Sequence, residues 1–196
     1  MLTHYLTHID EAVKGKLKLV IRGGVGVDNI DVAYAESKGV AVRNTPAASS
    51  ESVAELALGH MFALARFIAA ANVTIRNGEW NKKQYEGIEI SGKTLGLIGF
   101  GRISQALARR AEALGMKVVY TDFLGENKNF PQYTFMSQAE LLKVADFVSL
   151  HIPENDETRG MINRALFESM KPGATLVNCA RAGVINEEDL RTVKAS

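Results

Sequence analysis

Cysteine is all but missing from this chain: among 196 residues only Cys179 carries a thiol. That excludes an internal disulfide framework and suits a reducing compartment. Neither sign of charge is in excess. With 23 Lys and Arg against 22 Asp and Glu, the formal net charge is +1, and nothing calls for nucleic acid or an acidic surface as partner. The opening "MLTHYLTHIDEAVKGK" has no long apolar run behind basic residues, so no signal peptide is expected. The most apolar stretch is interrupted by Glu55, His60 and Arg66, which argues against a membrane span. Internal repeats and low-complexity tracts are absent. What remains, 46% hydrophobic and 23% charged, is the balance of a chain that can build a core, and a soluble, cytoplasmic protein is expected.

Two strand–helix steps open the readable pattern. "KLKLVIRGG" predicts a short strand, "NIDVAYAESKG" a helix closed by Gly39, and "VAVRNTP" a second strand stopped by Pro46. One long helix is expected over residues 49–78, with Val53, Leu56, Ala57, His60, Met61, Leu64, Ile68 and Ala71 at helical spacing. Leu58, Phe62 and Phe67 occupy its other faces, so it is either a central core helix or one shared between domains or subunits. Residues 77–92 look like a connecting loop. From residue 93 onward, apolar strands without alternation are separated by helices, which indicates a parallel sheet covered on both faces. The expected fold is therefore α/β, a doubly wound parallel sheet of Rossmann type. Residues 1–47 form a partial second domain, 48–92 an interdomain helix with its loop, and 93–196 the nucleotide-binding domain.

The stretch "TLGLIGFGRISQALARRAEALGMKVVYTD" carries the chemistry. A dinucleotide fingerprint needs a strand, a glycine turn, a helix, and an acid about 20 residues on. Gly99 permits the tight turn, and Gly101 removes a Cβ from the path of a pyrophosphate. The helix beginning at Arg102 and Ile103 offers N–H groups and a positive dipole end. Ser104 stands where the third glycine is usual. That glycine serves helix–strand packing, so a slight shift is expected rather than loss of binding. Asp122, at the end of the next strand, suits the ribose hydroxyls and would repel a 2′-phosphate, which favours NAD over NADP. The competing reading is a glycine turn in a non-nucleotide protein with Asp122 capping a turn. Strand, helix and acid in register weigh against it.

"GGVGVDNID", "NTP" before a helix containing "SVAE", "GKTLGLIGFGRI", "HIP" and "NCARAG" stand here in the order found in the D-isomer-specific 2-hydroxyacid dehydrogenases, and the chain resembles that family over nearly its whole length. The resemblance implies a fragment of a flavodoxin-like substrate domain beside the NAD domain. It implies hydride transfer between nicotinamide and C2 of a small D-2-hydroxy or 2-oxo acid, 3-phosphoglycerate-like, in a homodimer. No metal is expected. Arg102 and Ile103 would face the pyrophosphate and Asp122 the ribose. Ile152 would line the adenosine side, with His151 and Pro153 shaping that wall. Cys179, Ala180 and Arg181 would border the nicotinamide. Val25 would lie near nicotinamide and substrate, with backbone N–H groups around Val25 and Gly26 taking the substrate carboxylate. Arg181 matches the family's catalytic arginine, whose fork of donors holds a carboxylate and polarises a carbonyl.

Plainer readings stand beside these. Arg181 is otherwise a surface ion-pair residue, His151 a structural histidine, and Cys179 small packing rather than a nucleophile. Arg22 either helps bind an anionic substrate or solvates a strand end. His4, His8 and His60 have no partners that the sequence names. The family's proton donor, a histidine held by a glutamate after the catalytic arginine, has no counterpart here: no histidine follows Arg181, and Glu187 and Glu188 fit a helix start. The chain resembles the middle of such an enzyme, cut at both ends, with no strand supplied to flank "ATLVN". A nucleotide-binding module without turnover and an interaction fragment are the alternatives to an active dehydrogenase.

Overall fold

A computed structural model describes residues 16–193. The chain divides into two compact units, the first ending at Ser50 and the second beginning at Glu51.

In the first, β1 (Leu19–Arg22) and β2 (Ala41–Asn44) pair in parallel, joined through α1 (Val32–Ser37). Asp31 caps α1, its carboxylate accepting from the Tyr34 N–H at 2.9 Å, and Gly39 at φ +71° closes it. Ile30, Ala35 and Val40 form a small core with Val20 and Val42. Leu19 and Ile21, on alternate positions of β1, are exposed. This step is what the described residues show of the expected flavodoxin-like layer. His4 and His8 lie outside them.

The second unit is a five-stranded parallel sheet in the order β5-β4-β3-β6-β7. Its strands are β3 (Thr94–Ile98), β4 (Lys117–Thr121), β5 (Thr134–Phe135), β6 (Phe147–Leu150) and β7 (Thr175–Asn178). The helices are α2 (Ser50–Ala65), α3 (Ile68–Arg76), α4 (Arg102–Ala113), α5 (Gln138–Val144), α6 (Arg164–Ser169) and α7 (Glu187–Thr192). The central strand shows why a doubly covered sheet reads as an unbroken apolar run. Leu95 and Leu97 join one core with Ala54, Ala57 and Met61 of α2 and Leu107, Ala108 and Ala111 of α4. Ile98 joins the other with Leu141, Val148, Leu150 and Leu166. Gly96 lets α5 lie close: a Cβ there would stand 2.5 Å from Leu141 Cδ2 and 2.9 Å from Ala145 Cβ. Among the described residues β5 and β7 are the two edge strands.

The single long helix expected over residues 49–78 is two helices, α2 and α3, bent by 62° at a break. Phe67 adopts a left-handed conformation (φ 54°, ψ 30°), which ends the α-helical path. The cause lies 21 residues on: the Ile88 N–H donates to the Ala65 carbonyl at 2.9 Å. The chain crosses so near there that a Cβ on Gly87 would overlap that oxygen. Of the α2 residues named at helical spacing, Ala57 and Met61 are the buried ones. Ala54, Ala57, Met61 and Ala65 face inward, while Leu56, His60 and Leu64 are exposed. The α2 alanines share a core with α4, and Arg110 of α4 pairs with Glu51 at 2.7 Å and Glu55 at 3.1 Å. No single helix among the described residues is long and apolar enough to cross a membrane.

Candidate dinucleotide site

Because the five strands run the same way, the segments leaving β4, β3, β6 and β7 emerge side by side at one edge. They are, in spatial order, Asp122, the turn Gly99–Gly101, His151–Pro153 and Cys179–Arg181. From β3 the chain steps outward through β4 to β5, then returns to lay β6 on the other side of β3. That reversal is the switch point where open parallel sheets leave a crevice for ligands.

The glycine turn is tightly determined. Gly99 sits at φ +88°, and a Cβ there would stand 2.7 Å from the His151 carbonyl oxygen, so both conformation and space demand glycine. At Gly101 the reverse holds: a Cβ would meet nothing within 4 Å. Gly101 is the N-cap of α4 and supplies no side-chain cap. The first N–H groups of that helix therefore lack intrahelical acceptors, at the positive end of the helix dipole and beside open space. Arg102 is exposed and Ile103 half-buried at this end.

The turn's other polar groups are engaged from inside. Gly99 N–H donates to the Thr121 carbonyl at 2.9 Å, and its carbonyl accepts from Ser104 Oγ at 2.5 Å. Phe100 N–H donates to Asp122 Oδ2 at 2.6 Å, and its carbonyl accepts from Gln105 Nε2 at 2.9 Å. Asp122 Oδ1 also accepts from Leu124 N–H at 2.9 Å. The strand-end acid thus caps the turn that follows it, as the competing reading had it, and also clamps the glycine turn, a task its spacing did not reveal. Ser104 is fully buried, and its hydroxyl has a partner that a glycine would not supply.

His151 is half-buried, its Nε2 bonded at 2.9 Å to Oγ of the buried Ser149. Burial pushes its pKa down to about 4, so the ring is neutral near pH 7. Ile152 is half-buried and packs on the core of α5 and β6, and Pro153 is exposed. Cys179 packs against the other core, and burial raises its thiol pKa, which keeps it protonated and unreactive at neutral pH. After β7, Asn178 shapes the backbone that presents Arg181: its side chain accepts from Ala180 N–H and donates to the Arg181 carbonyl, both at 2.9 Å. A guanidinium nitrogen of Arg181 donates to the Ala180 carbonyl at 3.0 Å. The following turn is fastened to the segment after β6, with Gly160 N–H donating to the Gly183 carbonyl at 2.8 Å.

In the smaller unit, Arg22 ends β1 with its guanidinium folded onto the Gly23 carbonyl. The next loop is pinned from β2, with Gly24 N–H donating to Thr45 Oγ1 at 2.8 Å and Asn44 Nδ2 to the Val25 carbonyl at 2.7 Å. Val25 is exposed and Gly26 half-buried.

Room at Gly101, uncapped N–H groups on α4 and a carboxylate at the neighbouring strand end fit a pyrophosphate and a ribose. Strand, turn, helix and acid define a Rossmann-type dinucleotide-binding domain. Residues 58–195 match the NAD binding domain of the D-isomer specific 2-hydroxyacid dehydrogenases. The chain is 48% identical over 188 residues to a hydroxypyruvate reductase of Thermotoga maritima, covering 96% of this chain and 61% of that one. It is 46% identical over 183 residues to a D-3-phosphoglycerate dehydrogenase of Methanocaldococcus jannaschii, covering 89% of this chain and 34% of that one. Among solved structures, D-lactate dehydrogenase from Aquifex aeolicus, complexed with NAD and lactic acid, superposes with a TM-score of 0.80 at 34% identity, covering 89% of this chain and 53% of that one. The chain belongs to the D-isomer-specific 2-hydroxyacid dehydrogenase family, with NAD as the cofactor of the domain it carries, and spans 61% of the hydroxypyruvate reductase and 34% of the D-3-phosphoglycerate dehydrogenase named above.

Proposed function

We propose that this chain carries the NAD site of an oxidoreductase acting at C2 of a small D-2-hydroxy acid, hydroxypyruvate- or 3-phosphoglycerate-like as in the related enzymes named above. The observation that carries the reading is the row of strand ends: a glycine turn, a ribose-type acid, an apolar wall and an arginine emerge from adjacent parallel strands at one edge of one sheet. NAD, when bound, supplies a hydride acceptor or donor at its nicotinamide. Everything else falls to the protein. Gly99 and Gly101 shape the turn, and the amides of Arg102 and Ile103 hold the pyrophosphate. Asp122 takes the ribose hydroxyls and repels a 2′-phosphate. His151, Ile152 and Pro153 form the adenosine wall, and Cys179 and Ala180 exclude water beside the nicotinamide. Arg181 grips the substrate carboxylate and stabilises charge growing on the carbonyl oxygen. The loop after β1, with Arg22, Val25 and Gly26, takes a substrate carboxylate, in part through backbone N–H groups.

One observation favours a second reading, NAD binding without efficient turnover. His151 is neutral near pH 7 and its Nε2 is engaged by the buried Ser149, which leaves it poorly suited to give up a proton. Exposed Leu56, Leu64 and Ile68 on α2 and α3 support a homodimer covering them, in the cytoplasm, where a lone thiol stays reduced. Fluorescence titration with NADH and NADPH, followed by turnover assays on hydroxypyruvate and 3-phosphoglycerate, tests these readings. NADH binding with turnover supports the first and binding alone the second. Failure to bind NADH refutes both.

A further inference from the structure

Two neighbouring side chains of α4 do something that helix geometry does not require. A hydroxyl or amide in a helix ordinarily turns to the carbonyl four residues back or to solvent. Ser104 and Gln105 each reach five residues back, out of the helix, to the carbonyls of Gly99 and Phe100. With Thr121 and Asp122 accepting from the two N–H groups, all four polar backbone groups of the Gly99–Phe100 step are satisfied from inside the protein. The Phe100 ring is held as firmly. It is 4% exposed, stacked on Tyr120 at 3.9 Å between centroids, and meets Phe130 and Tyr133 edge-on at 5.4 and 5.9 Å. A peptide fixed at N–H, carbonyl and side chain cannot rotate independently of its neighbours. The next amides, those of Gly101, Arg102 and Ile103, are thereby aimed.

We infer that Ser104 and Gln105 are positioning residues for the dinucleotide: they set the glycine turn in its anion-binding geometry before the cofactor arrives. The inference rests on the dinucleotide reading above and adds the device that makes the turn rigid. Ser104 stands where the fingerprint has glycine, so this chain fastens the turn with a bond that the usual residue cannot make. A site organised in advance loses less on binding than one that must be ordered by its ligand.

The test uses the full chain with Ser104→Gly, Ser104→Ala and Gln105→Met, and three probes: NADH, ADP and adenosine. Loss of one such bond is expected to weaken NADH and ADP roughly three- to tenfold. Adenosine, which carries no phosphate, should bind unchanged, and the urea midpoint should fall only slightly. A merely structural role would weaken all three probes together, or lower stability without changing affinity. In the free protein, hydrogen exchange at Phe100 N–H should quicken in the variants relative to that at Leu95 and Leu97. Ser104→Gly or Gln105→Met binding NADH as tightly as the native chain overturns the inference, as does an equal loss for adenosine. If the buried Ser104 variants fail to fold, half-buried Gln105 still decides. If the native chain binds no NADH, the dinucleotide reading fails, while exchange at Phe100 still shows whether these side chains hold the turn.

Discussion

His151 offers a quantitative test. Its imidazole sits at the end of β6, hydrogen bonded through Nε2 to buried Ser149, with a pKa held at about 4 against an ordinary 6.5. A histidine depressed by burial stabilises the fold fully above its unfolded value, and that contribution is lost as pH falls from 6.5 toward 4, because the unfolded chain takes up the proton first. The whole difference corresponds to about 3 kcal/mol. At pH 5 most of it is already gone, a loss of about 2 kcal/mol relative to pH 7.5. Urea unfolding of the native chain and of His151→Asn from pH 7.5 to 4.5 isolates the effect. Carboxylates such as Asp146, held low by Lys171 and the Thr94 N–H against the opposing pull of burial, titrate alike in both proteins and cancel in the difference. The native chain should lose stability faster as the solution is acidified, the two curves separating below pH 6.5. An imidazole that titrates near 6.5 by NMR, or two parallel curves, would refute the reasoning. It would also reopen His151 as the proton donor, a role that a ring neutral at pH 7 and tied to Ser149 cannot fill.

Other expectations follow from single contacts. The native chain should bind NADH at least about tenfold more tightly than NADPH, and Asp122→Ser should narrow that gap by removing the ribose acceptor and the charge that repels a 2′-phosphate, while loss of its bond to Phe100 N–H weakens both cofactors; equal native affinities would sink the assignment. Arg181→Gln should lower any reduction of hydroxypyruvate by about 10²–10³-fold, far more than it weakens NADH, as steady-state kinetics would show. Leu64→Glu, on the exposed face of α2, should yield folded monomers by light scattering, whereas Phe62→Glu, packed against the core, should unfold the chain. Gly96→Ala should cost about 1–3 kcal/mol in urea unfolding, because its methyl group enters the space of Leu141 and Ala145.

The layer order and strand ends were legible because β3, β4 and β6 are short apolar runs closed by glycine, acid or proline, signals that local chemistry writes plainly. The break at Phe67 was not. No glycine or proline marks it, and its cause is a backbone N–H at Ile88, distant in sequence. Which face of α2 turns inward was not legible in a helix apolar nearly all round; the core takes Ala54, Ala57, Met61 and Ala65. The glycine turn after β3, the helix that follows it and Asp122 just past the end of β4 were legible from spacing. The second task of Asp122 and the backward reach of Ser104 and Gln105 were not, since periodicity says nothing about which carbonyl a side chain meets.

The strand order also bears on how such a chain is made. Synthesis delivers β3 before every other strand of its sheet, and β3 takes the central place. Each later strand then finds a template: β4 on one flank of β3, β5 beyond it, β6 on the other flank, and β7 beyond β6. Growth from the middle outward keeps the number of waiting edges at two throughout. The α2 alanines that cover α4 have already left the ribosome when α4 appears, since residues 50–65 precede it. The glycine turn, attached to the first strand, thus gains a neighbour on one side with β4 and on the other only when β6 arrives.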